Sequence, residues 1–350
     1  MQAELNLPQV GDRGPGFAAP DHTGASASPL ADEVAGRPIV LIFGRESPAI
    51  AAVLKRYAEL KDAFASADAL IFPVLGCGVE AARELRERAK LPFAVHADPL
   101  GDVARLYVGA EKSGSAITSV VMDPNFRVLQ IVDDTSNRPH ADIVLDLVRQ
   151  ERALRPAAPL GMHAPVLVLP RVLGREQCRE LIDMWHRPVR TWHTDGLTSA
   201  GYNDDKADFK VRNDSYGKVV QYVLRDPAVS AKLDANFARK VADEMQRAFQ
   251  TRVTQREVYR IACYDAEESG SLPAHRDNVS KMAEHRRFTI SINLNAEEFE
   301  GGELRFPEYG SQLYKTETGM AVIWSCTLLH EVMPVTSGRR FILGTHLFGN

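Results

Sequence analysis

Cysteine is scarce in this 350-residue sequence: there are four, Cys77, Cys178, Cys263 and Cys326, and no two of them stand in C-x-x-C spacing. That scarcity argues against a disulfide framework or a cysteine zinc site, and buried, reduced thiols are the expectation for all four. No uncharged apolar stretch is long enough to cross a bilayer, and the opening "MQAELNLPQVGDRG" lacks the basic segment and apolar run of an export signal. A cytoplasmic protein without a membrane partner is expected. A strong charge of either sign is missing too, since 42 Lys and Arg against 46 Asp and Glu leave a net charge of -4, which gives no reason to expect nucleic acid as a partner. What is present is ordinary for a soluble protein, 45% apolar and 25% charged, on a chain long enough for two domains.

The hydrophobic pattern changes halfway along. In the first half "PIVLIF" (38–43), "ALIFPVL" (69–75), "PFAVHA" (92–97) and "ITSVVMD" (117–123) read as buried strands. Between the first two, Ile50, Val53, Leu54, Tyr57, Leu60 and Phe64 recur at helical spacing. A hairpin turning at Asp123-Pro124-Asn125 and a final helix "ADIVLDLVRQERAL" complete a layered sheet-and-helix domain over residues 1–155. The proline- and alanine-rich "RPAAPLGMHAP" has no periodicity, so a linker is expected at 156–164. A second domain, 165–350, begins with the helix "GREQCRELIDMW" and a longer one carrying Val229, Leu233, Phe237, Val241, Met245 and Phe249 at every fourth position. Beyond residue 253 come strand-like runs, "REVYRIACYD", "RRFTISINLN", "GELRF", "GMAVIWSC" and "RFILGTHLF". Helices followed by a succession of strands predict a β-sandwich or open barrel backed by helices.

Within that strand region, "LPAHRDN" places His275 and Asp277 two positions apart, on one face if the tract is a strand. The strand "GMAVIWSCTLLH" ends on a second histidine, His330. Two imidazoles and a carboxylate on neighbouring strands would converge on one face of a metal and leave the other face open, the arrangement iron(II) needs when an oxidant and a cosubstrate both bind. A closed zinc site would require a fourth histidine or cysteine at short spacing, and neither His285 nor Cys326 stands there. Ten residues beyond His330 lies Arg340, at the start of the last apolar strand. A guanidinium buried there needs an acidic partner, either a bound dicarboxylate or a structural carboxylate such as Glu303.

The set His275-x-Asp277, "FEGGELRF" (299–306) and His330-x-Val332-x-Pro334-Val335-x-x-Gly338-x-Arg340 resembles the iron(II)- and 2-oxoglutarate-dependent dioxygenases of the prolyl 4-hydroxylase-like branch, over roughly residues 165–350. The resemblance implies a double-stranded β-helix, or jelly roll, with supporting helices. It implies that His275, Asp277 and His330 hold iron, that Arg340 binds the far carboxylate of 2-oxoglutarate, and that Tyr264 is a second contact to it. Many members carry lysine where Arg340 falls, and arginine is a common variant. Iron(II), 2-oxoglutarate and O2 are implied as cofactors and cosubstrates, with ascorbate as a further candidate. The implied reaction converts 2-oxoglutarate and O2 to succinate and CO2 while hydroxylating an amino-acid side chain, in a small molecule, a peptide or a protein. Gly301 and Gly302 are expected in a positive-φ turn. The polar tract 191–214 is a candidate lid.

The first half resembles a thioredoxin fold, and "VGDRGPGFAAPDHTG" followed by "PIVLIF" is similar to the opening of a peroxiredoxin. That family follows its first core strand with T-x-x-C-P, whose thiolate is activated at a helix start and by an arginine. Here the text is "GRESP": Gly44 takes the threonine place, Ser47-Pro48 the Cys-Pro place, and Ile117 the place of the arginine. A serine hydroxyl at its ordinary pKa cannot replace the thiolate, so no peroxidase activity is expected. A docking or homodimerising module is the reading, by fold analogy. Two other readings stand beside the dioxygenase: a thiol peroxidase working through Cys77, which sits where a strand meets a helix N-terminus and would have a lowered pKa, and a non-enzymatic metal-binding or sensing module.

Overall fold

The structure, a computed structural model, describes residues 7–349 apart from 33, 113–116, 134–138, 154–160, 190–191, 195–207 and 215–216. It divides into two compact units, Met1–Ala158 and Pro159–Asn350. Residues 156–160 of the expected linker and most of the expected lid lie outside the described residues.

In the first unit five strands form one sheet, in the order His96–Ala97, Leu70–Leu75, Ile39–Gly44, Thr118–Met122, Val128–Asp133. The first three run parallel to one another and the last two are antiparallel. Ile39, Val40, Leu41, Ile42 and Phe43 are all buried because helices cover both faces of the sheet, which explains a continuous apolar run where a half-exposed strand would alternate. Of "PFAVHA" only His96–Ala97 pairs as a strand, with Leu70–Leu75 on one side and an isolated bridge to Asp21 on the other. The helix Pro48–Glu59 starts at Ser47, whose Oγ accepts from the Ile50 amide at 3.3 Å, with Pro48 at the first position.

The second unit is a jelly roll. Its large sheet runs Leu167–Leu169, Ala321–Ser325, Phe288–Asn293, Val335–Phe348, Arg260–Asp265, Val219–Val223, Phe209–Asn213, Trp192–Thr194. Its small sheet runs Leu272–His275, His330–Val332, Leu304–Arg305, Leu313–Tyr314. Strand alternation sorts the side chains between two cores. Ile261, Cys263, Ile290, Ile292, Phe341 and Leu343 point to the helices behind the large sheet, whereas Ala262, Tyr264, Val322 and Trp324 share the inner core with Leu304 and Val332 of the small sheet.

The supporting helices are Arg175–His186 and a long one built from Pro227–Phe237 and Asp243–Phe249, joined through a π-helical turn at Ala238–Ala242. That turn explains the fourfold spacing. An α-helix advances about 100° per residue, so each four-residue step overshoots by about 40° and six such residues would spiral away from the sheet. The wider π turn takes up the overshoot, and all six side chains pack against the same core.

Candidate active site

His275 and His330 face each other as direct cross-strand partners in the small sheet, with ring centroids 4.3 Å apart. Asp277 joins them from outside the strand: the Leu272–His275 strand ends two residues earlier, after a register shift, so the same-face strand argument does not place Asp277. A turn does. Its amide donates to Cys326 O at 3.0 Å, and its carbonyl accepts from Arg286 Nη1 at 3.0 Å. The carboxylate then stands 3.4 Å from His275 Nε2 through Oδ1 and 3.4 Å from His330 Nε2 through Oδ2. One donor atom from each residue falls within 4.8 Å of the other two.

The tautomers follow from the backbone. His275 Nδ1 lies 2.9 Å from Pro273 O and His330 Nδ1 3.0 Å from Leu328 O. A carbonyl only accepts, so each Nδ1 carries the proton and each Nε2 offers its lone pair to the space beside Asp277. Burial would raise the Asp277 pKa, but the close approach of His275 and the fields of His330, His346 and His275 hold it below the usual carboxylate range. Burial lowers His330. It would lower His275 as well, but the Asp277 contact outweighs it and raises that ring.

Behind the carboxylate is a group of residues that the sequence reading did not single out. Thr289 Oγ1 donates to Asp277 Oδ2 at 2.5 Å, and it lies 3.1 Å from His346 Nδ1 and 3.2 Å from Cys326 Sγ. A hydroxyl has one proton, already given to the carboxylate, so the ring N–H and the thiol must donate to it. Burial pushes Cys326 up to about 12, which keeps the thiol protonated, and pushes His346 down to about 4, which leaves a neutral ring whose single proton stands on Nδ1 in this arrangement. Asp277, Cys326 and His346 form a second cluster of donors, but a protonated thiol is a poor ligand. The available signal was the alternation of polar Thr289, Ser291 and Asn293 along one face of an otherwise apolar strand.

Arg340 is 5% exposed, pairs in register with Tyr264, and its Nε donates to Asn293 Oδ1 at 3.2 Å. Its Nη1 is buried without a hydrogen-bond partner, and Glu303 makes no ion pair with it among the described residues. Burial lowers its pKa, the sign of a desolvated cation. The guanidinium carbon lies over the Tyr264 ring, 5.6 Å from its centre, on the wall of the same cavity, and burial raises the pKa of the Tyr264 hydroxyl. Gly301 and Gly302 have the expected positive φ, 74° and 66°. Gly302 does more: a Cβ there would lie 2.8 Å from Val335 Cγ2 and 3.1 Å from Arg340 Cδ. Arg276 bonds Glu308 at 2.6 Å.

The triad, Tyr264, Thr289, Trp324, Arg340 and His346 line one cavity of about 210 Å³. Two buried donors on its wall, Arg340 Nη1 and Trp324 Nε1, have no protein acceptor. A closed core would not tolerate them, whereas a bound acceptor-rich ligand would satisfy them. Two imidazole nitrogens and a carboxylate with an open side fit iron(II), and the orphaned guanidinium nitrogen fits a carboxylate.

The first unit offers no comparable site at the peroxiredoxin position. Ser47 is spent as a helix cap, and Ile117 packs into the apolar core where an activating arginine would stand. The expectation of a low-pKa Cys77 is overturned: burial, then the Glu46 carboxylate, push its thiol up to about 11.

Residues 259–347 match the family described as the 2OG-Fe(II) oxygenase superfamily, and residues 10–131 match the AhpC/TSA family. A PKHD-type hydroxylase of Psychrobacter sp. is 36% identical over 83 residues, covering 23% of this chain and 32% of that one. Another, from Saccharophagus degradans, is 29% identical over 187 residues, covering 50% and 74%. The chain spans about a third of the length of the curated relatives that match it first, 32%, 38% and 38%. Among solved structures, the peroxidoxin BcpB of Mycobacterium tuberculosis is 23% identical, over 43% of this chain and 99% of that one, with a TM-score of 0.37. The chain carries a 2OG-Fe(II) oxygenase domain in its second unit and an AhpC/TSA, thioredoxin-like domain in its first.

Proposed function

We propose that this chain is an iron(II)- and 2-oxoglutarate-dependent hydroxylase acting on an amino-acid side chain, with the jelly roll as its catalytic unit. One observation carries the reading: two imidazole Nε2 lone pairs and a carboxylate aimed together share a cavity with a buried guanidinium whose Nη1 lacks a partner. His275, Asp277 and His330 would hold the metal. Arg340 would take the far carboxylate of 2-oxoglutarate through paired N–H donors, with Tyr264 alongside. When bound, iron(II) and 2-oxoglutarate supply the activation of O2 that oxidises a C–H bond, the keto acid leaving as succinate and CO2.

The chain's own residues do the rest. Thr289 and Arg286 hold Asp277 at its side chain and its backbone, so the carboxylate keeps one orientation. Pro273 O and Leu328 O hold the two rings in the ligating tautomer. Asn293 fixes the guanidinium from behind, leaving its far edge for the ligand. Ascorbate enters the proposal as an additive to be tested in turnover assays. For the first unit we propose a non-peroxidatic docking or homodimerising role, supported by the capped Ser47 and the high Cys77 pKa. Among the described residues no helix is long and apolar enough to cross a membrane.

The test is an anaerobic titration of the metal-free protein with iron(II) and then 2-oxoglutarate, following the visible charge-transfer band of a chelated keto acid. A band that disappears in Asp277→Ala is the expected result. Bound iron without any band in the wild type would sink the dioxygenase reading and leave a structural metal site.

A further inference from the structure

By the propensities of its own strand, Gly344 is out of place. It lies inside Val335–Phe348, paired with Arg260 on one side and Ser291 on the other. Glycine weakens a strand interior, and its usual warrants within a protein are a left-handed backbone or a neighbour too close for a side chain. Neither applies. Gly344 is not among the positive-φ glycines. A Cβ built on it would meet only two atoms within 4 Å, Ile342 Cδ1 at 3.4 Å and Ile290 O at 3.6 Å, both ordinary contacts. The position lines the cavity. A strand glycine that the protein's own atoms do not require marks the close approach of something else to the backbone.

Its place on the wall says what would approach. Thr289, Ser291 and Asn293 form a polar row on the neighbouring strand, with His346, Gly344 and Ile342 opposite them in register. Thr289 bonds the Asp277 carboxylate of the triad, and Asn293 bonds the Arg340 guanidinium. Ser291 and Gly344 are the step between, about 7 Å along the strand from either. Among the described residues nothing bonds the Ser291 hydroxyl. The buried Arg340 Nη1, without an acceptor, calls for a carboxylate at one end of this row, and the triad calls for a metal chelate at the other. A ligand that joins the two ends passes over Ser291 and Gly344.

We propose that Gly344 is the specificity-determining position for the cosubstrate: the carbon chain of the 2-oxo diacid crosses the bare backbone at Gly344, with the Ser291 hydroxyl beside it, and a side chain there would stand in the ligand's path. This inference rests on the hydroxylase reading for the identity of the ligand, and on the strand register and the room at Gly344 for the position.

The test is anaerobic calorimetry on the full, iron(II)-loaded chain, with thermal melts, for the wild type, Gly344→Ala and Gly344→Val. Two ligands are compared: 2-oxoglutarate, long enough to run from the metal to Arg340, and oxalate, which chelates the metal and is too short to cross. Both variants should melt at or above the wild-type temperature, because a side chain that fits replaces glycine in a strand. Both should bind iron(II) and oxalate as the wild type does. 2-Oxoglutarate should weaken about tenfold or more in Gly344→Ala, and further in Gly344→Val, as the added methyl groups overfill an occupied space. Ser291→Ala should weaken it to a lesser degree and spare oxalate. Undiminished 2-oxoglutarate binding in Gly344→Val would overturn the proposal. So would an equal loss of oxalate, or a lowered melt in both variants, since either would make Gly344 a packing residue. A wild type that binds iron(II) but no 2-oxoglutarate would end the hydroxylase reading and this inference with it, whereas wild-type binding that the variants leave untouched ends this inference alone.

Discussion

A single hydroxyl has an unusual burden in this site. Thr289 gives its proton to Asp277 and receives one each from His346 and Cys326, so three polar groups depend on one oxygen. Thr289→Val keeps the shape and removes the oxygen. The carboxylate loses the bond that fixes its plane, and loss of such an outer partner costs metal sites about 10- to 100-fold in affinity. The ring and thiol left without an acceptor add a stability loss of about 1–3 kcal/mol. Titration with iron(II) or manganese(II), run beside a thermal melt, checks both. Unchanged metal affinity would mean that the backbone bonds of Asp277 suffice to orient it.

Among the elements, the turn at Gly301–Gly302 decides where Arg340 sits. The positive φ of Gly302 and the 2.8 and 3.1 Å approaches to Val335 and Arg340 leave no room for a methyl group. Gly302→Ala is expected to cost about 1–3 kcal/mol through backbone strain and crowding. It should also shift the guanidinium, weakening 2-oxoglutarate several-fold while iron(II) binding holds; equal weakening of both would mean that the jelly roll as a whole had loosened. The sequence made this turn visible but not its second duty, because glycine spacing reports backbone conformation and says nothing of what approaches from another strand. The same limit explains Asp277. Its pairing with His275 was legible from two-residue spacing, yet the geometry comes from a turn stitched to Cys326 O and Arg286, contacts between positions far apart in the chain. The fourfold helical spacing was legible as a helix, and only the π turn shows why it did not spiral off the sheet. Histidine 346 was readable in principle, since Arg340, Ile342, Gly344 and His346 occupy alternate positions of one strand and share its inward face.

At the scale of the whole molecule, the hydrophobic clusters respect the division into two units. Those around Ile42 and Phe43 draw only on residues before the division, and those around Ile290 and Trp324 only on residues after it. Each unit therefore has a core of its own, the condition for folding alone. Residues 159–350 expressed by themselves should melt cooperatively and give the same iron(II) and 2-oxoglutarate titration as the full chain. Residues 1–158 should fold, consume no peroxide, and remain inactive in Ser47→Cys. That substitution supplies the missing sulfur but not the activation, because Ile117 still fills the place of the arginine. It should also cost about 1 kcal/mol by removing the helix cap. Light scattering on the same fragment tests the proposed self-association: a dimer of residues 1–158 beside a monomer of residues 159–350 would assign assembly to the first unit. Two monomers would leave that unit without a role in assembly. Peroxide consumption that appears in Ser47→Cys would show that the peroxiredoxin chemistry lacks only its sulfur.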